Sequence, residues 1–147
     1  MTDPAEELVL VVDGANVVGS VPDGWWRDRA GAAVRLRDSL EGLEIPGEGH
    51  EIPADPAGTL RPLVALVVEG KARDIPEFGA VRVVRAPASG DDEIVAEVRR
   101  RIADGSTVLA VTNDRELRAR IEAAGGEVRR VGWLRRLIDG RDQNPRR

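Results

Sequence analysis

The chain has 147 residues, a formal charge of −4, one histidine and no cysteine. That length suits a single domain with a real core, and the lack of cysteine excludes disulfides, thiolate metal sites and a cysteine nucleophile. No apolar run approaches the roughly 18 residues of a membrane span, the first residues are too acidic and polar for a signal peptide, and a pI near 5.2 carries no global nucleic-acid signature.

One cytoplasmic domain over residues 1–147 is therefore expected, with its core at about 8–138 and a polar tail at 139–147. The basic residues are arginines apart from Lys71. Arginine alongside abundant Ala, Val and Gly has the look of a GC-rich coding bias, so arginine abundance alone argues little.

The first element is the apolar run that ends on Asp13 in LVLVVDGANVVGS. Rich in β-branched residues and without alternation, it reads as a strand covered on both faces, as in a parallel sheet. Residues 25–43 follow with Trp26, Ala30, Ala33, Val34 and Leu40 at helical spacing. Residues 44–62, rich in Pro, Gly and Glu, form a loop between a helix and a strand, at the N-terminal edge of the sheet.

LVALVV at 63–68 is a second buried strand and AVRVV at 80–84 a third. The 69–79 link between them is short for a helical crossover. A helix over 91–103 has Ile94, Val95, Val98 and Ile102 on one face. TVLAV at 107–111 is a strand, 114–124 a helix that stops at Gly125-Gly126, 127–131 a last strand and 131–138 a short last helix. Strands alternating with helices predict an α/β fold: a doubly wound, mostly parallel five-stranded sheet with helices on both faces.

In such sheets, sites form beyond the carboxyl ends of the strands. Asp13 and Asn16 follow the first strand; Glu69, Gly70 and Lys71 the second; Ser89, Asp91, Asp92 and Glu93 the third; Thr112, Asn113 and Asp114 the fourth. An Asp at a helix start is usually a cap. Asp13 stands apart, because VVDGAN gives no sign of a helix beginning at once. Clustered carboxylates repel unless a cation lies among them, and oxygen ligands suit Mg2+ or Mn2+. Two such ions can activate water and stabilise the leaving oxygen in phosphodiester hydrolysis. Lys71 and Arg73 are the candidates for holding a substrate phosphate, and zinc is disfavoured with no cysteine and a single histidine.

DGANVVGS, SGDDEIV and TNDREL, in this order and spacing, resemble the NYN domain, a branch of the PIN-like ribonucleases. GWWRDRAGAAVRL and VVEGKAR fit the actinobacterial members of that group. The resemblance runs over roughly 8–137. It implies a PIN-like fold with a five-stranded parallel sheet in flavodoxin-like order, and metal-dependent RNA cleavage. Carried over by motif, it makes Asp13, Asp91 and Asp114 catalytic and metal-binding acids, with Asp92 a neighbouring ligand. Asn16 becomes the amide that follows the first acid, and Thr112 and Ser89 become substrate-side residues. Asn113 stands where related sequences carry a smaller residue.

The bland readings are also specific. His50 is a loop residue opposite the acid edge. DGANVVG lacks the Lys-Ser/Thr of a phosphate loop. One of Trp25 and Trp26 faces outward and could stack on RNA. Arg99, Arg100 and Arg101 read as a solvated helix face, whereas Arg129, Arg130, Arg135 and Arg136 form a patch that could follow a phosphate backbone. A non-catalytic PIN-like module binding RNA or protein is the main rival to a nuclease. A receiver-like phosphoacceptor would need an acidic pair at the end of the first strand and a lysine after the last; VDGAN and GWLRR supply neither.

Overall fold

The computed structural model describes residues 7–46, 58–72 and 74–142. Strand β1 (Leu8–Asp13) is buried along its whole length, and its side chains divide between two layers. Leu8, Leu10 and Val12 pack on one face with Ala33, Leu36 and Leu40 of α2 (Arg29–Leu40) and Val131, Leu134 and Ile138 of α5 (Val131–Asp142). Val9 and Val11 pack on the other with Ile94, Val95 and Val98 of α3 (Gly90–Ala103) and Leu117 and Ile121 of α4 (Arg115–Ala123). Such double coverage is why β1 shows no polar alternation.

The sheet also contains β4 (Leu63–Val68), β5 (Val81–Arg85), β6 (Thr107–Val111) and β7 (Glu127–Arg129), in the order β5-β4-β1-β6-β7, with every pair parallel. Counted along the chain this is 3-2-1-4-5. It differs from the expected flavodoxin-like order, which is 2-1-3-4-5. The winding reverses between β1 and β6, so the crevice of the switch point opens between Asp13 and Thr112.

The β4–β5 crossover holds only a single 3-10 turn at Gly70–Ala72. Its backbone is tied by side chains instead. Arg37, buried on α2, donates through Nη1 to the Pro76 carbonyl (2.8 Å) and lies over the Phe78 ring (5.4 Å). Glu41 accepts from the Ala80 N–H (2.8 Å), Glu77 from the Val83 N–H (3.0 Å), and Arg85 donates to the Ile75 carbonyl (2.8 Å).

Three boundaries differ from the sequence expectation. The 25–43 helix is divided: Trp25–Arg27 form a 3-10 turn, and Asp28, extended at φ −149°, caps a helix that starts only at Arg29. The last helix runs on to Asp142 through part of the expected tail. A short helix, α1 (Gly14–Val18), begins directly after β1. In the 44–62 segment, β2 (Ile45–Pro46) and β3 (Thr59–Leu60) pair antiparallel beside the start of β4; residues 47–57, with His50, lie outside the described residues. No helix among the described residues is long and apolar enough to cross a membrane.

Candidate functional site

Asp13 ends β1 and also caps α1, which corrects the expectation that no helix begins there. The Asn16 N–H donates to its Oδ1 (3.2 Å). Gly14 makes this turn possible: a Cβ there would meet the Val67 carbonyl oxygen at 2.6 Å, so only glycine lets α1 lie against β4. On the other side of the crevice the Thr112 hydroxyl donates to Asp13 Oδ2 (2.9 Å), and the same hydroxyl accepts from the Asp114 N–H (3.2 Å). Asn16 Oδ1 accepts from the Asn113 N–H (2.9 Å), and Asn113 Oδ1 accepts from the Val131 N–H at the start of α5 (3.0 Å). One network thus joins the ends of β1 and β6 and the starts of α1, α4 and α5. Asn113 is a structural bridge in it.

Asp13 is only 8% exposed. Burial pushes its carboxyl above the ordinary value of 3.8, and the charges of Asp91 and Glu69 add to this, against the lowering bonds from Asn16 and Thr112. Asp91 is raised as well, first by burial and then by Asp114 and Glu69, with Arg120 opposing. The four acids therefore feel one another across the edge. Glu69 was visible only as an acid after β4; the structure gives it a place, its carboxylate accepting from the Gly90 N–H at the start of α3.

Among the described residues, Asp13, Asp91 and Asp114 do not form a ready-made group of three His, Cys, Asp or Glu side chains around one point. The reason lies in their local bonds. Asp13 turns to Asn16 and Thr112, and Asp114 turns to its own helix, where Oδ1 accepts from the Leu117 N–H (3.0 Å). Asp92 faces outward and pairs with Arg120 (2.9 Å). Ser89, not Asp91, is the N-cap residue of α3; it is exposed and makes no side-chain cap bond. Asp91 stands free of any capping duty in the first turn. Lys71 falls in the turn after β4, but its side chain and all of Arg73 lie outside the described residues.

The donor set is all oxygen, which suits a hard cation. Mg2+ is commonly held by only one or two carboxylates while keeping several waters, and Asp13 and Asp91 lie in the field of the same acid, Glu69. The residues fit an ion held in that hydrated mode, not an all-protein cage. Beside them a cleft of about 330 Å³ opens between Trp25, Val18, Val68, Glu69 and Ala88, with the Arg29 guanidinium 5.6 Å from the Trp25 ring centre.

No family model matches this chain, and no curated protein matches it. Solved structures do. The crystal structure of Rae1 (YacP) from Bacillus subtilis superposes with a TM-score of 0.64 at 16% identity, covering 92% of this chain and 75% of that one. A single-substitution mutant of the same protein gives 0.64 at 15% identity, covering 92% and 77%. At this identity the likeness speaks for the fold alone, an α/β fold with a five-stranded parallel sheet and helices on both faces.

Proposed function

We propose that this chain is a ribonuclease that hydrolyses RNA phosphodiester bonds at the carboxyl edge of its sheet, with Mg2+ or Mn2+ as cofactor. The observation that carries the reading is Asp13: a carboxylate buried at the switch point, raised by burial, and set in the field of Asp91 and Glu69. Keeping such a charge out of water is costly unless it is used or neutralised. RNA as substrate class comes from the NYN resemblance of DGANVVGS, SGDDEIV and TNDREL.

Asp13 and Asp91 are the residues that would hold the cation, which when bound supplies an activated water and stabilises the leaving oxygen. Thr112 and the Asn16 backbone fix both oxygens of Asp13, so its orientation is set before substrate arrives. Asn16 and Asn113 lock the β1 and β6 ends at one separation. Trp25, on the wall of the cleft beside Glu69, offers a face on which an unpaired base can stack.

A non-catalytic binding module is the second reading, favoured by the cap bonds that engage Asp13 and Asp114. Calorimetric titration with Mn2+, paired with incubation of an end-labelled RNA, separates the two. Saturable Mn2+ binding with metal-dependent cleavage supports the nuclease. RNA binding with neither supports the module.

A further inference from the structure

The arginines near the end of the chain divide into two groups. Arg129 pairs with Glu127 (3.3 Å), and Arg135 donates to the Val17 carbonyl (2.9 Å), so both serve the fold. Arg130 and Arg136 instead meet two arginines from α4 around one groove of about 380 Å³, with Thr112 and Asp114 at its inner end. Arg115 and Arg118, three residues apart, share a face of α4. Arg136 folds back along α5, its Nη1 3.7 Å from where a Cβ on Gly132 would sit.

Among the described residues, none of these four guanidiniums pairs with a carboxylate, although Arg100, Arg101, Arg120 and Arg129 all do. Four unpaired cations around one groove, in a chain of net charge −4, repel one another unless an anion is shared among them. The starts of α4 and α5 open on the same groove and add partial positive charge. The groove is also continuous with the acid edge through Thr112 and Asp114.

We infer that this groove carries the phosphate backbone of the RNA strand where it leaves the acid edge, each guanidinium fork meeting a phosphate. The inference rests on the ribonuclease reading for the nature of the polyanion, but its geometry is separate. Lys71, one of the two cations expected from sequence, falls in the turn after β4, which lies across β1 from β6. On this inference the strand passes over the β6 and β7 side of the sheet, and tighter binding of an acidic protein chain is the outcome that contradicts it.

The test is the salt dependence of binding, read by anisotropy of an end-labelled, unstructured RNA of about 12 nucleotides in EDTA, so that no cleavage occurs. Four phosphate contacts to a single strand contribute about −2.8 to the slope of log K against log salt. On those contacts alone, wild type should lose about 50-fold in affinity between 50 and 200 mM salt. Each of Arg115→Ala, Arg118→Ala, Arg130→Ala and Arg136→Ala should flatten the slope by about 0.7, and the quadruple variant should lose most of it.

Arg99→Ala, an exposed arginine of α3 away from the groove, should leave the slope unchanged. Circular dichroism melts confirm that each variant is folded. Wild-type binding with an unaltered slope in the quadruple variant overturns the groove while leaving the nuclease reading to its own cleavage assay. A flattened slope in a protein that cleaves no RNA sustains the groove and removes the nuclease. Failure of wild type to bind RNA, or tighter binding to a poly-glutamate peptide of equal charge, overturns the groove.

Discussion

Thr112→Val tests the buried network at its centre. Thr112 is 2% exposed, and its hydroxyl donates to Asp13 Oδ2 at 2.9 Å and accepts from the Asp114 N–H at 3.2 Å. Valine keeps the volume and removes both bonds. A hydrogen bond to a charged group contributes about 1.5–3 kcal/mol and a neutral one about 0.5–1.5 kcal/mol. Apolar burial of the new methyl offsets part of this, and a net loss of about 2–3 kcal/mol is expected at pH 7. For a domain of this size that is a fall of roughly 6–10 °C in Tm.

The pH dependence sharpens the test. The folded pKa of Asp13 lies above its ordinary 3.8, so the ionised form destabilises the fold. That penalty is fully present above the folded pKa and relieved as pH falls through it toward 3.8. Removing the Thr112 donor raises the folded pKa further, which enlarges the penalty at pH 7 and the relief on acidification. As pH falls to 3.8 and below, the deficit of the variant should shrink toward about 1 kcal/mol, the worth of bonds to neutral partners. Thermal melts at pH 7 and at acid pH measure this. A deficit that is the same at both pH values, or below about 0.5 kcal/mol at pH 7, would refute a buried carboxylate held by Thr112.

Asp13→Asn retains an acceptor for the Asn16 N–H and removes the charge, so it should melt higher than wild type in EDTA at pH 7 and gain less from Mn2+; a variant that melts lower and gains as much would show that Asp13 is only a cap. Asp91→Asn loses no cap, since Ser89 holds that position, and should behave the same way with a smaller rise. Gly14→Ala drives a Cβ into the Val67 carbonyl and should cost about 2 kcal/mol or more while displacing Asn16; unaltered stability would mean that α1 is not seated on β4.

The fold was legible where its physics is local. The unbroken apolar runs at 8–12 and 63–68 announced strands buried on both faces, and Ile94, Val95 and Val98 announced the inner face of α3. Strand order was not legible, because parallel neighbours are chosen by packing between distant segments, and nothing in TVLAV says that it lies beside β1. The helix GANVV escaped notice because it starts on glycine, carries two β-branched valines and spans barely one turn. It holds through Asp13 and through contact with β4.

The acid edge was legible as a set of strand ends, but the direction of each carboxylate was not. Asp114 serves its own helix and Asp92 meets Arg120 from α4, a partner 28 positions away. The same holds for the arginines. Arg129 and Arg130 are equivalent in sequence, and only the fold gives the first a partner and leaves the second facing the groove.

The most direct measurement is cleavage of an end-labelled RNA by wild type and Asp13→Asn, side by side, in Mn2+ and in EDTA, with folding of both confirmed by melting. Wild type should cleave only with the metal, and the variant should lose about 100-fold or more, the scale on which removal of one transition-state-stabilising group acts. Cleavage by Asp13→Asn at the wild-type rate, or the absence of metal-dependent cleavage by wild type, would contradict the nuclease reading.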